Sequence, residues 1–433
     1  MPKLISLLIF ARKLEHYLGT SKFLLACLST LATIFLPSLL GQSSSLWLAS
    51  LTSVTAQPIT SDGSTNTSVS PPSNPNTSGN AAVYDITGGQ LSQDGKNLFH
   101  SFTQFGLQAG ETANFIANPS VLNILGRVTG GNPSLINGLI QVTSSGNPNL
   151  FLLNPAGIVF GDKARLNVPG DFTATTATRI GFGNNNWFNT VGTNDYSALI
   201  GLPSTFAFGT SGTPGAIANS GQLAVTDGKN LTLLGGTVVS TGELNAPGGN
   251  VTIVAVPGQN LIRIAQSGHL LNLEIQPCGN STNCTPPATS NAPLPTPLSL
   301  PQLLTGNANS PTTGLTVDNV GQVVLTDSGL VIPQSPGTLV LSGTADASTT
   351  KPSEIGGSVQ LRGNLVGLVE KAQVDVSGEA GGGRVLIGAD VRGSSTDSQA
   401  LQTFVGPDVT INANAGATGN GGQVRVWAGD TTR

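Results

Sequence analysis

Asn147-Pro148-Asn149-Leu150-Phe151-Leu152-Leu153-Asn154-Pro155-Ala156-Gly157-Ile158-Val159-Phe160-Gly161 is the stretch whose reading decides the fold. Each Asn-Pro pair starts a turn, because proline fixes its own φ and biases the residue before it toward extended geometry. The apolar runs after the two corners, Leu150–Leu153 and Ile158–Phe160, read as buried strands. The stretch is therefore a strand, a sharp corner and a second strand.

The same texture extends in both directions. From Ala81 to about Ile275, short apolar alternations such as Gly138-Leu139-Ile140-Gln141-Val142 recur between turns. Further on there is an internal repeat. Gly248-Gly249-Asn250-Val251-Thr252-Ile253, Gly356-Gly357-Ser358-Val359-Gln360-Leu361, Gly382-Gly383-Arg384-Val385-Leu386-Ile387 and Gly421-Gly422-Gln423-Val424-Arg425-Val426 share a Gly-Gly turn followed by alternating apolar residues. Repeats of this size mean a solenoid, and short strands ending at Gly or Asn corners suit a parallel β-helix, in which each coil pairs with the next.

Composition agrees with an all-β chain. The 433 residues include 56 glycines, and only 9% are charged, yet 38% are apolar, which is enough to build a core. Helix formers such as Lys and Glu are scarce and β-branched residues common. The net charge of −4, with no basic stripe, argues against a general nucleic-acid or anionic-membrane binder.

The chain opens with a targeting segment. Lys3, Arg12, Lys13 and Lys22 precede an apolar run from Phe23 to Leu40, and Val54-Thr55-Ala56 offers small residues for cleavage before Gln57. Residues 1–56 are read as an extended signal peptide. The run is about long enough to span a bilayer as an anchor instead; Pro37 inside it and the low-charge chain after it favour export. Cysteine use fits an oxidising compartment. Cys27 would leave with the leader, and Cys278 and Cys284 are disulfide candidates within one Pro/Asn/Thr-rich loop. Two cysteines without a nearby histidine do not make a zinc site, and no metal or cofactor is expected.

These shifts give five segments: the signal peptide, a flexible spacer at 57–80, coils over 81–275, a Pro/Asn/Ser/Thr-rich excursion or linker at 276–313, and further coils over 314–433. At very roughly 20–25 residues and about 4.8 Å per coil, residues 81–433 would form on the order of fifteen coils and a rod of about 70 Å. Arg433 follows a repeat strand directly, with no polar capping coil, which is consistent with a truncated rod or with an end capped by something else.

Catalytic groups are sparse. Parallel β-helices include polysaccharide-cleaving enzymes, so a secreted enzyme of that kind is the alternative reading, but glycoside hydrolysis needs two placed carboxylates and lyase chemistry a base with a cation. There is no adjacent Asp pair. His16, His100 and His269 each stand alone, and Asp390, Arg392 and Asp397 lie in a Ser/Gly-rich turn where charges are usually solvated. In Asn184-Asn185-Asn186-Trp187-Phe188-Asn189, Trp187 and Phe188 beside amides form a candidate glycan contact, although the alternative, that the loop covers the side of the helix and buries its aromatics, is favoured.

The paired Asn-Pro motifs resemble those of the secretion domain in two-partner secretion exoproteins, the filamentous-haemagglutinin-like adhesins of Gram-negative bacteria. The resemblance runs from Asn97-Leu98-Phe99-His100-Ser101-Phe102 through Asn118-Pro119-Ser120 and Gly126-Arg127-Val128-Thr129-Gly130-Gly131 to Phe172-Thr173-Ala174-Thr175-Thr176-Ala177. It implies a right-handed β-helix, in line with the general hand of parallel crossovers. It also implies a secretion motif made of Asn147, Pro148, Asn149, Leu150, Asn154, Pro155, Gly157 and Ile158. The family usually carries Asn-Pro-Asn-Gly-Ile at the second motif; Ala156 stands in the third position here and lacks the amide. The implied partner is an outer-membrane barrel transporter with periplasmic recognition domains, and the implied destination is the cell surface or the medium, where such a rod binds host or neighbouring-cell glycans or receptors.

Overall fold

In the computed structural model, the described residues are 59–70, 82–183, 186–209, 213–264, 273–277, 295–305, 311–388 and 400–433. The leader, Cys278, Cys284, His269, Asp390, Arg392 and Asp397 lie outside them.

The chain winds as a parallel β-helix of three sheets. One circuit shows the order: Asn149–Leu153 lies in the first sheet, Ile158–Phe160 in the second and Arg165–Asn167 in the third, and Phe172–Thr175 returns to the first beside Asn149–Leu153 in register. Nine parallel strands, from Asn97–Gln104 to Gln423–Trp427, stack in the first sheet. Alternate side chains point inward, so Phe102, Ile124, Leu150, Leu152, Ile158, Phe160 and Phe172 fill one interior column.

The apolar runs are continuous rather than alternating because two of the three sheets are buried on both faces. Outside the first sheet, Phe99, Leu125, Phe151 and Leu153 lie under an antiparallel sheet built from Arg179–Gly181, Trp187–Asn189, Thr205–Phe208, Asn260–Ile264 and Leu273–Pro277. Outside the second, Val159, Ala218, Val239 and Val340 lie under a short helix, Leu300–Thr305, and an antiparallel hairpin of Leu315–Val317 with Val323–Leu325. The third sheet keeps a polar outer face, where Asp85, Asn114, Gln141 and Asn167 bond side chain to side chain from coil to coil.

The Gly-Gly repeat has a steric cause. A Cβ on Gly357 would fall 1.8 Å from the Gly249 carbonyl oxygen, one on Gly383 1.9 Å from that of Gly357, and one on Gly422 2.2 Å from that of Gly383. These carbonyls accept the N–H groups of Ser358, Arg384 and Gln423 at 2.9–3.0 Å, so the ladder runs through a column only glycine fits.

Three expectations are corrected. Residues 59–70 do not belong to a flexible spacer: Thr60–Ser61 pairs antiparallel with Asn97–Gln104, Ser68–Val69 pairs with Val83–Thr87, and Ile59 is buried, so this stretch caps the first coil. The excursion does not separate two stacks, since Asn250–Ala255 pairs directly with Ser358–Arg362 in one continuous sheet, and the covering elements between them begin before residue 276 and continue past 313. Among the described residues nine coils replace fifteen because the long insertions fold over the outside instead of winding; at about 4.8 Å per coil the stack is about 40 Å long. At the other end, Thr410–Asn412 and Gln423–Trp427 are edge strands, with Val424 and Trp427 exposed.

Candidate functional site

The two Asn-Pro corners flank a single strand. Asn147-Pro148 turns the chain from the third sheet into Asn149–Leu153 of the first, and Asn154-Pro155 turns it from the first into Ile158–Phe160 of the second. Their asparagines have different roles. Asn147 is exposed, whereas Pro148 beneath it is buried.

Asn149 belongs to a column of side chains at the start of the first-sheet strands. Its Nδ2 donates to Asn123 Oδ1 at 2.9 Å, and Asn123 Nδ2 donates to Asn97 Oδ1 at 2.8 Å. Asn97 Nδ2 in turn reaches the carbonyls of Leu199 and Gly201 in the covering segment. In the other direction Asn149 Oδ1 accepts the Asp171 N–H, the Asp171 carboxylate accepts from the backbone and side chain of Asn230, and Asn250 and Ser358 continue the column. Asn97 and Asn123 are fully buried. Strand pairing places these positions in register, so each amide supplies both the donor and the acceptor its neighbours need.

Asn154 is also fully buried. Its Oδ1 accepts the Ala156 N–H at 3.0 Å and closes the turn, while its Nδ2 donates to the Asn132 carbonyl at 2.9 Å and to Ser134 Oγ at 3.0 Å, tying the corner to the previous coil. Pro155, Ala156, Gly157 and Ile158 are buried too. Gly157 has φ 129°, a value that favours glycine, and a Cβ there would lie 2.9 Å from Leu303 of the covering helix. Position 156 bonds through its backbone, so alanine loses nothing there that the turn requires.

A polar cluster secures the cap next to the first coils. Arg127, 2% exposed, donates to Ser101 Oγ, Ser64 Oγ and the carbonyls of Asn189 and Gly192. Asp62 accepts from Ser101, Ser64 and Thr129. Burial alone would raise the Asp62 carboxyl, but these bonds and the Arg127 charge hold it below its ordinary value. His100 is sealed between Phe102 and Phe115; its Nδ1 meets Thr67 Oγ1 at 3.0 Å, its Nε2 has no partner among the described residues, and burial lowers its pKa to about 4.

The glycan-contact reading of Phe188 is corrected. Its ring is fully buried, 5.0 Å from that of Phe99 and 6.3 Å from that of Tyr196, with Arg127 over its face. Trp187 remains half-buried, with the Arg179 guanidinium stacked 4.4 Å from its ring. Phe188 packs against the apolar outer face of the first sheet, whereas Trp187 packs on Ala207 and Leu261 of the covering sheet.

The described residues hold no cluster of three or more His, Cys, Asp or Glu side chains able to bind a metal. A family model described as the TPS secretion domain matches residues 57–283, more than half of the chain, and spans the cap, both corners and the sheet covering the first face. The chain belongs to the two-partner secretion family. Among solved structures it is similar to the secretion domain of HMW1 from Haemophilus influenzae, at 18% identity and a TM-score of 0.43, covering 83% of this chain and 84% of that one. It is also similar to the filamentous haemagglutinin secretion domain, at 13% identity and a TM-score of 0.33, covering 87% and 100%. A search of curated proteins gives no match. A TPS secretion domain directs an exoprotein through the periplasm and across the outer membrane of a Gram-negative cell by way of a dedicated outer-membrane transporter, and the family is one of secretion domains rather than of enzymes.

Proposed function

We propose that this TPS protein is an adhesin-like exoprotein that ends at the cell surface or in the medium and acts by binding, its rod contacting glycans or receptors on host or neighbouring cells. Its Asn-Pro corners are the part the transporter reads. The observation that carries this is the split at the first corner: Asn149 is committed to the amide column, whereas Asn147 projects into solvent. An asparagine whose side chain the coils do not use keeps both a donor and an acceptor for a periplasmic partner. Export needs no nucleotide at the outer membrane, because each coil that docks outside adds strand pairing and apolar burial that oppose back-sliding.

The test pairs two measurements on Asn147→Ala. Secretion is followed in cells carrying the transporter, and folding is followed by refolding the same variant in vitro. The proposal expects a variant that refolds with wild-type stability and stays in the periplasm. Normal secretion of Asn147→Ala would remove this residue from the signal.

A further inference from the structure

The second corner is closed by the protein itself. Leu298, far downstream in the chain, donates its N–H to the Ala156 carbonyl at 3.0 Å and accepts the Ala216 N–H at 3.1 Å, so the backbone of this strap is bonded to both the corner and the coil beside it. The helix that follows seats Leu303, fully buried, against Gly157, and Leu300 is 2% exposed. The strap is held again further along the second sheet: the Thr312 carbonyl accepts from the Asp162 N–H and from Ser220 Oγ, and the Thr313 carbonyl accepts from Thr241 Oγ1. The alanine at position 156 fits this arrangement. Position 156 is fully buried, so a side-chain amide there would need partners of its own.

We propose that the segment from Leu298 to Thr305 is an autoinhibitory latch, which closes the Asn154-Pro155 corner to the transporter once the coils of residues 149–255 have formed. The proposal rests on the reading that the transporter recognises the corners. The order of the chain sets the timing: the corner emerges from synthesis and from any N-to-C passage before Leu298 does, and the coils that carry Ala156, Ala216 and Val239 must be stacked before the latch has a surface to dock on. The corner is therefore open while the chain is being recognised and closed in the folded exoprotein. Closure takes the second corner away from any contact between a delivered protein and the transporter and leaves only the first.

The test uses the full mature chain and the isolated periplasmic domains of its cognate transporter. Binding is measured for wild-type protein kept extended in denaturant and then diluted, for refolded wild type, and for refolded Leu300→Asp/Leu303→Asp, in which the latch is expelled. Refolded Leu303→Ala serves as the milder variant should the double substitution fail to fold. Circular dichroism reports the β-helix and limited proteolysis within 298–305 reports latch opening. The latch predicts that the opened, folded variant binds at least about tenfold more tightly than folded wild type. Equal binding by the two folded proteins, with the protease cutting only the variant, would overturn the latch and leave corner recognition standing. Failure of the extended chain to bind would overturn corner recognition and the latch with it.

Discussion

Asn154→Ala probes the corner most sharply. The substitution removes one acceptor and two donor contacts and leaves the Ala156 N–H, the Asn132 carbonyl and Ser134 Oγ to find other partners. Ala156 and Ser134 are fully buried, so water cannot reach them without opening the coil. An orphaned buried polar group costs about 1–3 kcal/mol, and the three share one site, so the expected loss is about 3–5 kcal/mol. That is a large part of a typical domain stability of about 5–15 kcal/mol. Urea unfolding of the mature chain should show a lowered midpoint at an unchanged slope, the sign of lost native stability rather than of an altered unfolded state. Asn154→Asp keeps the oxygen that closes the turn but places a charge where the amide donated, and should be at least as damaging. A loss below about 1 kcal/mol for Asn154→Ala would refute the claim that these bonds hold the corner.

Three further outcomes follow from the same geometry. Asn123→Ala breaks the amide column at a fully buried position and leaves Asn97 Oδ1 without its donor, so a loss of about 2–4 kcal/mol is expected in the same unfolding assay, whereas Asn147→Ala should stay within about 0.5 kcal/mol. His100 takes up a proton near pH 4 when folded but near 6.5 when unfolded; the unfolded chain binds more protons between these values, so stability is full above pH 6.5 and falls by about 3 kcal/mol on descending toward pH 4. His100→Phe should flatten that part of the pH–stability curve. Phe188→Ala should cost about 3–5 kcal/mol as a core truncation, and a loss below 1 kcal/mol would return Phe188 to the surface.

What the sequence made legible follows from which forces are local. The strands around Asn149–Leu153 and the Gly-Gly repeats were readable because corners and sterically forced glycines leave their mark within a few residues. The division of labour among the asparagines was not. Asn147 and Asn149 stand in the same motif, and only the stacking of Asn97, Asn123 and Asn149 across separate coils shows which of them is structural. The signal was present as an Asn before an apolar run in Asn97-Leu98, Asn123-Ile124, Asn149-Leu150, Asn230-Leu231 and Asn250-Val251, but it needs the coil register to be seen. Residues 59–70 looked like a spacer because few are apolar; their order comes from strand pairing and from bonds such as Thr67 to His100. Phe188 sits among amides, so a glycan contact stood beside the favoured burial, and what buries it is Phe99, far away in sequence. The coil number failed for a related reason: counting every residue from 81 to 433 as winding includes the strands between Arg179 and Phe208 and between Asn260 and Leu325, which lie outside the coils.

The central claim is that this chain leaves the cell by the two-partner route, and one measurement bears on it most directly. The full-length chain is expressed in a Gram-negative host with and without its cognate outer-membrane transporter, and the protein is quantified in the periplasm, on the cell surface and in the medium. The account predicts surface or medium protein only when the transporter is present, and accumulation in the periplasm without it. Equal amounts outside the cell in both strains would contradict it.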